Sequence, residues 1–238
     1  MITAIIPARA GSTRLPDKNV KLLSGKPLVF YTIEAFLNHN DIKTVLFSSD
    51  SQDYLTIVER EFGSDVTLVY RPKATASDTA KVVSELERII ESMPDYFSGG
   101  WFAMGLPTAP LRGWNEVNKL LDYWRANNKG CFSCHKYDFP AQFGFHMRND
   151  LDEASNWEPL MGNASPMITG NTRSQDIEAT YRPNGAIYIN SVNAFLERNI
   201  LYDQCDAVEI SEYSSIDIDT EADFELAEYM LHKAKENK

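Results

Sequence analysis

The chain has 238 residues, 43% of them hydrophobic and 11% aromatic, and a formal net charge of −11. That composition supports a packed core in one large domain, or in one domain with a sizeable insertion, and the acidic balance excludes a broad nucleic-acid-binding surface. No run approaches the roughly 20 apolar residues of a membrane span, and no basic segment precedes the first apolar run, which ends at Pro7; the expectation is a cytoplasmic protein without a signal peptide.

Residues 3–7 predict a buried strand. It breaks into the loop Ala-Arg-Ala-Gly-Ser-Thr-Arg-Leu-Pro-Asp-Lys-Asn, residues 8–19. Charge is concentrated here. Residues 1–26 hold Arg9, Arg14, Lys18, Lys21 and Lys26 against Asp17 alone. A strand that delivers small residues and cations suits a polyphosphate: backbone N–H groups approach the anion and the cations neutralise it.

Strand and helix patterns then alternate. A helix is predicted over 27–37, with Pro27 in its first turn. A strand follows at 44–48, a helix at 51–62 capped by Asp50 or Ser51, and a strand at 66–70. Residues 78–92 read as a helix, apolar at Val82, Val83, Leu86, Ile89 and Ile90. Residues 101–104 and 130–134 read as strands around a helix at 114–125. This alternation predicts an α/β fold, a mostly parallel sheet with helices on both faces. Ligands bind such sheets beyond the carboxyl ends of the strands, where residues 8–19 sit.

Periodicity fades after His135. Residues 136–181 are rich in Pro, Asn, Gly, Met and aromatics, and read as an inserted arm of irregular strands that packs on another subunit, or else as a lid. The α/β pattern resumes with strands at 185–189 and 207–210 and helices at 192–198 and 220–235; Thr220 and Asp223 form a capping-box pattern. The expected organisation is therefore a domain of residues 1–135 and 182–238 interrupted by the arm.

Cys131, Cys134 and His135 match the c-type haem attachment pattern and half a zinc site. Haem attachment needs export, and structural zinc needs four ligands where no second pair exists, so these cysteines read as packed thiols. His39, His135, His146 and His232 are isolated and read as structural or surface residues. Neither Gly-x-Gly-x-x-Gly nor a Walker sequence occurs.

Ser-Ile-Asp-Ile-Asp-Thr, residues 215–220, is the second chemical feature. On an extended chain Asp217 and Asp219 share a face while Ile216 and Ile218 share the other. Paired carboxylates with phosphate oxygens suit Mg²⁺. The plain alternative is a solvated segment with Asp219 favourable near a helix N-terminus. Arg71 and Arg112 each follow a predicted strand end. Arg112 either reaches the site or caps the sheet edge.

Taken together, these segments resemble a known family. Residues 6–19, Ile-Pro-Ala-Arg-Ala-Gly-Ser-Thr-Arg-Leu-Pro-Asp-Lys-Asn, are similar to the signature loop of the CMP-sugar synthetases, most closely the acylneuraminate cytidylyltransferases. Arg71-Pro72 with Ala76-Ser77-Asp78-Thr79, Pro107-Thr108-Ala109-Pro110-Leu111-Arg112, Arg173-Ser174-Gln175-Asp176, Tyr181-Arg182-Pro183-Asn184-Gly185-Ala186-Ile187-Tyr188 and Ser215-Ile216-Asp217-Ile218-Asp219-Thr220-Glu221 follow in the family's order.

The resemblance implies a Rossmann-like, nucleotide-diphospho-sugar-transferase-like fold and a role in carbohydrate biosynthesis. CTP and a nonulosonic acid would give a CMP-sugar and pyrophosphate, the anomeric hydroxyl attacking the α-phosphorus. Ala8, Arg9, Ala10, Gly11 and Ser12 would cradle the triphosphate and contact the base. Lys18 and Arg9 would offset developing charge. Asn19, Arg71, Ser77 and Asp78 would hold the nucleotide, and Asp217 and Asp219 would bind Mg²⁺. Arg173, Gln175 and Tyr188 would face the sugar, with Arg173 also counted among the catalytic groups. Residues 136–181 match the family's dimerisation arm, which implies a homodimer. Ala10, Ala80, Val82, Leu106 and Ala109 depart from the family pattern. Leu106 stands in place of a glutamine on the sugar side, which suits a deoxygenated acid of the legionaminic or pseudaminic type as well as sialic acid. The rivals are a CMP-Kdo synthetase, a metal-dependent glycosyltransferase and a nucleotide-sugar-binding regulator without catalysis; Lys18, Asp217 and Asp219 speak against the last.

Overall fold

The first strand, β1 (Ile2–Pro7), is buried along its whole length in the computed structural model, which describes residues 1–37, 39–76, 81–147, 156–170 and 173–236. Alternate side chains leave a strand on opposite faces, and here both faces are covered. Ile2, Ala4 and Ile6 join one apolar cluster and Ile5 joins another. A continuous apolar run is what a central strand of a two-sided sheet requires.

The elements follow in chain order. β2 (Leu22–Leu23) and β3 (Lys26–Pro27) make a small antiparallel hairpin ahead of α1 (Leu28–Phe36). Next come β4 (Ile42–Ser49), α2 (Gln52–Phe62), β5 (Val66–Tyr70), α3 (Val82–Ser92), β6 (Trp101–Met104), α4 (Trp114–Asn127) and β7 (Gly130–Lys136). β8 (Phe145–Met147), β9 (Trp157–Pro159) and the short α5 (Pro166–Thr169) precede β10 (Tyr181–Ser191), α6 (Val192–Arg198), β11 (Cys205–Glu209) and α7 (Glu221–Glu236). Seven strands form one sheet in the order β11-β7-β10-β6-β1-β4-β5. β1 runs parallel to β4 and β6, and β4 to β5, while β10 is antiparallel to β6. The mostly parallel sheet expected from the alternation is present. Val29, Ile33, Leu55, Val58 and Leu120 of α1, α2 and α4 cover one face. Leu86, Ile89, Ile90 and Phe195 of α3 and α6 cover the other. No helix of the described residues is long and apolar enough to cross a membrane.

Two boundaries differ from the sequence reading. α3 starts at Val82, behind Lys81, which is extended at φ −72°, ψ 142°; residues 78–80 of the expected helix lie outside the described residues. β10 is an 11-residue strand that runs through Pro183, Asn184 and Gly185. These residues carry turn chemistry, but Asn184 is buried and bonded to Ser133 and Ser215, and Gly185 takes φ +72°. The caps form as expected. Ser51 accepts from the N–H of Tyr54 at 3.3 Å, and Thr220 and Asp223 cap each other's N–H groups.

A third cluster matters most for the site. Leu15 from the cationic loop packs with Leu23, Leu28, Leu111, Ile218, Phe224 and Ala227. It joins chain segments some 200 residues apart beneath the loop. Burying a leucine or isoleucine side chain is worth about 1.5–3 kcal/mol, so this cluster is a strong anchor.

Contacts divide the chain into two compact units, Met1–Cys134 with Pro183–Lys238, and His135–Arg182. In the second, β8 pairs antiparallel with β9, and Phe145 meets Trp157 edge-on at 5.8 Å. Phe139, Phe145, Met147, Leu160, Met161 and Ile168 are exposed there.

Candidate active site

The cationic loop is held from both sides. The N–H of Ala8 donates to the carbonyl of Ser48 at 2.8 Å, and the N–H of Ala10 donates to Oδ1 of Asp50 at 2.8 Å. Gly11 has φ +76°, a conformation that glycine adopts without cost. Asn19, 6% exposed, donates from Nδ2 to the carbonyl of Arg9 at 2.9 Å and closes the loop on itself. Tyr54 donates its hydroxyl to Asp17 at 2.8 Å. Burial first, and then that carboxylate, raise the phenol pKa. Arg9, Ser12, Arg14, Lys18 and Asn19 line a cavity of about 420 Å³ beyond the end of β1.

Asp219 lies on the same cavity. Ile218 is fully buried, with its N–H donating to the carbonyl of Thr108 at 2.7 Å, and Ile216 packs beside it. Asp219 turns the other way, onto the cavity, although residues 216–219 belong to no strand; Asp217 is not among the residues that line it. Lys18 Nζ reaches Oδ1 of Asp219 at 2.9 Å, and Arg14 Nη2 reaches Oδ2 at 2.9 Å. The pKa of Asp217 is raised, chiefly by burial of its carboxyl; a hydrogen bond from Thr108 lowers it and the charge of Asp219 raises it further. The two carboxylates are close enough for the charge of Asp219 to act on Asp217, and carboxylate oxygens are hard donors of the kind that suit a divalent cation. Among the described residues no group of three or more His, Cys, Asp or Glu is placed to hold a metal. Such an ion would need ligand oxygens from outside the protein.

Arg71 lines the cavity, as does Leu106, which shares its apolar wall with Val82 and Pro107. Gly185 abuts Leu106: a Cβ there would come within 3.2 Å of the Leu106 side chain. Arg112 is neither among the residues lining the cavity nor at the sheet edge: it braces β10, an interior strand. It is fully buried, and donates to the carbonyls of Ala186 at 3.1 Å and Leu106 at 3.0 Å. Burial pushes its pKa down to about 9, against a raising effect of Glu116. Tyr188 is 5% exposed, with its hydroxyl 3.1 Å from that of Tyr202. Arg173 and Gln175 belong to the second unit, where Arg173 Nε pairs with Asp176 at 3.1 Å. Ser77 and Asp78 lie outside the described residues.

Several residues escaped the sequence reading. Asp50 accepts from the loop backbone. Glu85 is buried behind Arg71. Ser133, Asn184 and Ser215 form a buried relay that ends next to Ile216. A signal existed for Glu85 alone, an acid on the apolar face of a helix, four residues before Ile89. Cys131 and Cys134 are buried in β7, and burial above all raises both thiols, Cys131 to about 12. Both read as packed thiols of the strand interior.

A family profile described as cytidylyltransferase matches residues 3–96. An N-acylneuraminate cytidylyltransferase of Streptococcus agalactiae serotype V is 31% identical over 229 residues, covering 92% of this chain and 51% of that protein. The chain thus spans about half the length of that relative. A CMP-N,N'-diacetyllegionaminic acid synthase of Legionella pneumophila is 29% identical over 248 residues, covering 99% of this chain and 98% of that one. The solved structure of CMP:2-keto-3-deoxy-manno-octonic acid synthetase complexed with CTP superposes with a TM-score of 0.67, covering 98% of this chain and 100% of that one. At 17% identity the superposition speaks to the fold alone. The profile match over residues 3–96 and the relatives aligned along nearly the whole chain agree on one likeness: the chain is similar to cytidylyltransferases, among them synthetases of CMP-sugars.

Proposed function

We propose that this protein joins CTP to a nonulosonic acid, releasing pyrophosphate. One observation carries the reading: Arg14 and Lys18 pair directly with Asp219 in the wall of a cavity that Arg9, Asn19 and Arg71 also line. Three loop cations on one wall suit a triphosphate, and a carboxylate beside them suits the metal that accompanies one.

In this reading the backbone of residues 8–12 lies along the phosphates, with Arg9 and Lys18 neutralising charge as pyrophosphate departs. Asn19 keeps the loop closed, and Arg71, with Ser77 and Asp78, holds the nucleotide. Asp217 and Asp219 would hold Mg²⁺, which when bound neutralises phosphate charge and acidifies a hydroxyl. Arg173, Gln175 and Tyr188 are assigned to the acceptor. Leu106 and Val82 offer it an apolar wall, which favours an acid lacking one or more hydroxyls over a fully hydroxylated one. Free CTP and sugar acid make the cytoplasm the expected location. The exposed apolar side chains of residues 135–182 are the proposed homodimer contact; a monomeric mass in light scattering at micromolar concentration would overturn that part.

The direct test is pyrophosphate release from each of the four nucleoside triphosphates with Mg²⁺ and a panel of sialic, legionaminic and pseudaminic acids and Kdo. Release with CTP and a nonulosonate is expected. Release with Kdo alone, or with no acid, overturns the reading.

A further inference from the structure

Behind the cavity lies a buried ionic cluster that the reaction as described leaves unused. Glu85, on the inner face of α3, is 1% exposed. Its carboxylate accepts from Arg88 Nε at 2.9 Å and Nη2 at 2.7 Å, and from Ser48 Oγ at 2.5 Å. Its Oε2 also lies 3.4 Å from Nε of Arg71. Arg71 is itself buried yet lines the cavity; its Nη2 donates to the carbonyl of Thr75 and its backbone N–H to the carbonyl of Ser49 at 2.8 Å. The Nε has no hydrogen-bond partner among the described residues.

Charge in this cluster does not cancel: two guanidinium groups share one carboxylate. Without Glu85, Arg71 and Arg88 would repel each other in a poorly solvated place. With it, Arg71 stays charged and oriented, and one positive charge is left over beside the cavity. The charges of Asp50 and Arg9 also act on Arg71. Ser48 ties the cluster to the loop. Its hydroxyl bonds Glu85 while its carbonyl accepts from Ala8. The end of β4 thereby sets the loop and Arg71 in register with one another.

We propose that Glu85, anchored by Ser48, is a positioning residue that holds Arg71 as a cation facing the nucleotide. The inference rests on the reading of the cavity as a nucleoside triphosphate site. It assigns a role in nucleotide affinity to a side chain that touches no substrate.

The test uses the full chain and two readouts, steady-state pyrophosphate release and calorimetric binding of CTP. Losing a hydrogen-bonded charge predicts that Glu85→Gln raises the CTP KM and Kd about tenfold, while the KM of the sugar acid stays put. Arg71→Met should do the same, and the double variant should match Arg71→Met alone, because Glu85 acts only through Arg71. An unchanged CTP Kd in folded Glu85→Gln overturns the proposal. So does an equal rise in both KM values, the sign of a merely structural role, or additive losses in the double variant. If Glu85→Gln does not fold, Ser48→Ala reads the same anchor: a smaller rise confined to CTP supports the proposal and none overturns it. Failure of the parent reading looks different, because the unaltered protein then neither turns over nor binds any nucleoside triphosphate; in that case both fall.

Discussion

Lys18 Nζ donates to Oδ1 of Asp219 at 2.9 Å and to the carbonyl of Ile218 at 2.8 Å, joining residues 201 and 200 positions apart. The loop cation and the carboxylate meet directly, side chain to side chain. Replacing Asp219 with Asn should lower kcat by about 100-fold or more, the loss expected when a group acting on developing charge is removed. The pair is partly exposed, with Asp219 at 36%, so the folding free energy should change by no more than about 1 kcal/mol. Pyrophosphate assays beside urea denaturation separate the two effects. Lys18→Met should act on kcat in the same way; an effect on the CTP KM alone would move Lys18 to ground-state binding.

Both oxygens of Asp219 are engaged by cations, Oδ1 by Lys18 and Oδ2 by Arg14. A divalent ion must displace them, and phosphates give those cations somewhere to go. Mn²⁺ monitored by its paramagnetic resonance signal should bind weakly to the free protein and at least about tenfold more tightly with CTP present, because phosphate oxygens complete its shell. Arg14→Ala should tighten binding to the free protein. Equal Mn²⁺ affinity with and without nucleotide would contradict this arrangement.

Ile218 places Asp219 by filling the cluster with Leu15 and Leu28. Ile218→Ala should cost about 2–5 kcal/mol of stability, as truncations in a closed core do. Activity should fall even at temperatures where the variant is fully folded, since the cavity loosens the seat of both Leu15 and Asp219. Thermal unfolding followed by assays well below the midpoint checks this.

Arg112 supplies a pH dependence. Its pKa is lowered from 12.5 to about 9 by burial. Below about 9 the fold bears the cost of a buried charge; as pH rises through that value the folded state releases the proton first and the cost is relieved. Arg112→Met leaves the carbonyls of Leu106 and Ala186 without this donor, a loss of about 1–3 kcal/mol near neutrality. The stability gap between the unaltered protein and the variant should widen between pH 8 and pH 10.5. Denaturant titrations at both ends measure it, and a gap that narrows would reverse the assigned sign.

Legibility in the sequence followed the range of the interaction concerned. The apolar run of β1, the Thr220–Asp223 cap and the opposed sides of Ile218 and Asp219 are local patterns, and each is present. The extension of β10 through Pro183, Asn184 and Gly185 was not legible. Asn184 reads as a turn residue until Ser133 and Ser215, 51 and 31 positions away, supply its bonds. Arg112 looked equally suited to the cavity and to the sheet; only the carbonyls of Leu106 and Ala186 decide between them. Glu85 left a local trace, an acid on the apolar face of its helix, but its partners did not: two arginines and a serine from other segments or turns surround it.

The alternation of strand and helix and the place of a cationic loop beyond the first strand are legible in the sequence alone. These follow from hydrophobic period and side-chain parity, which are properties of a few neighbouring residues. It takes the fold to bring Lys18 and Arg14 onto Asp219, to stand Glu85 behind Arg71 and to make Arg112 a brace. Each of those outcomes depends on which distant segments the sheet order and the Leu15–Ile218 cluster bring together, and no local pattern in the chain encodes that.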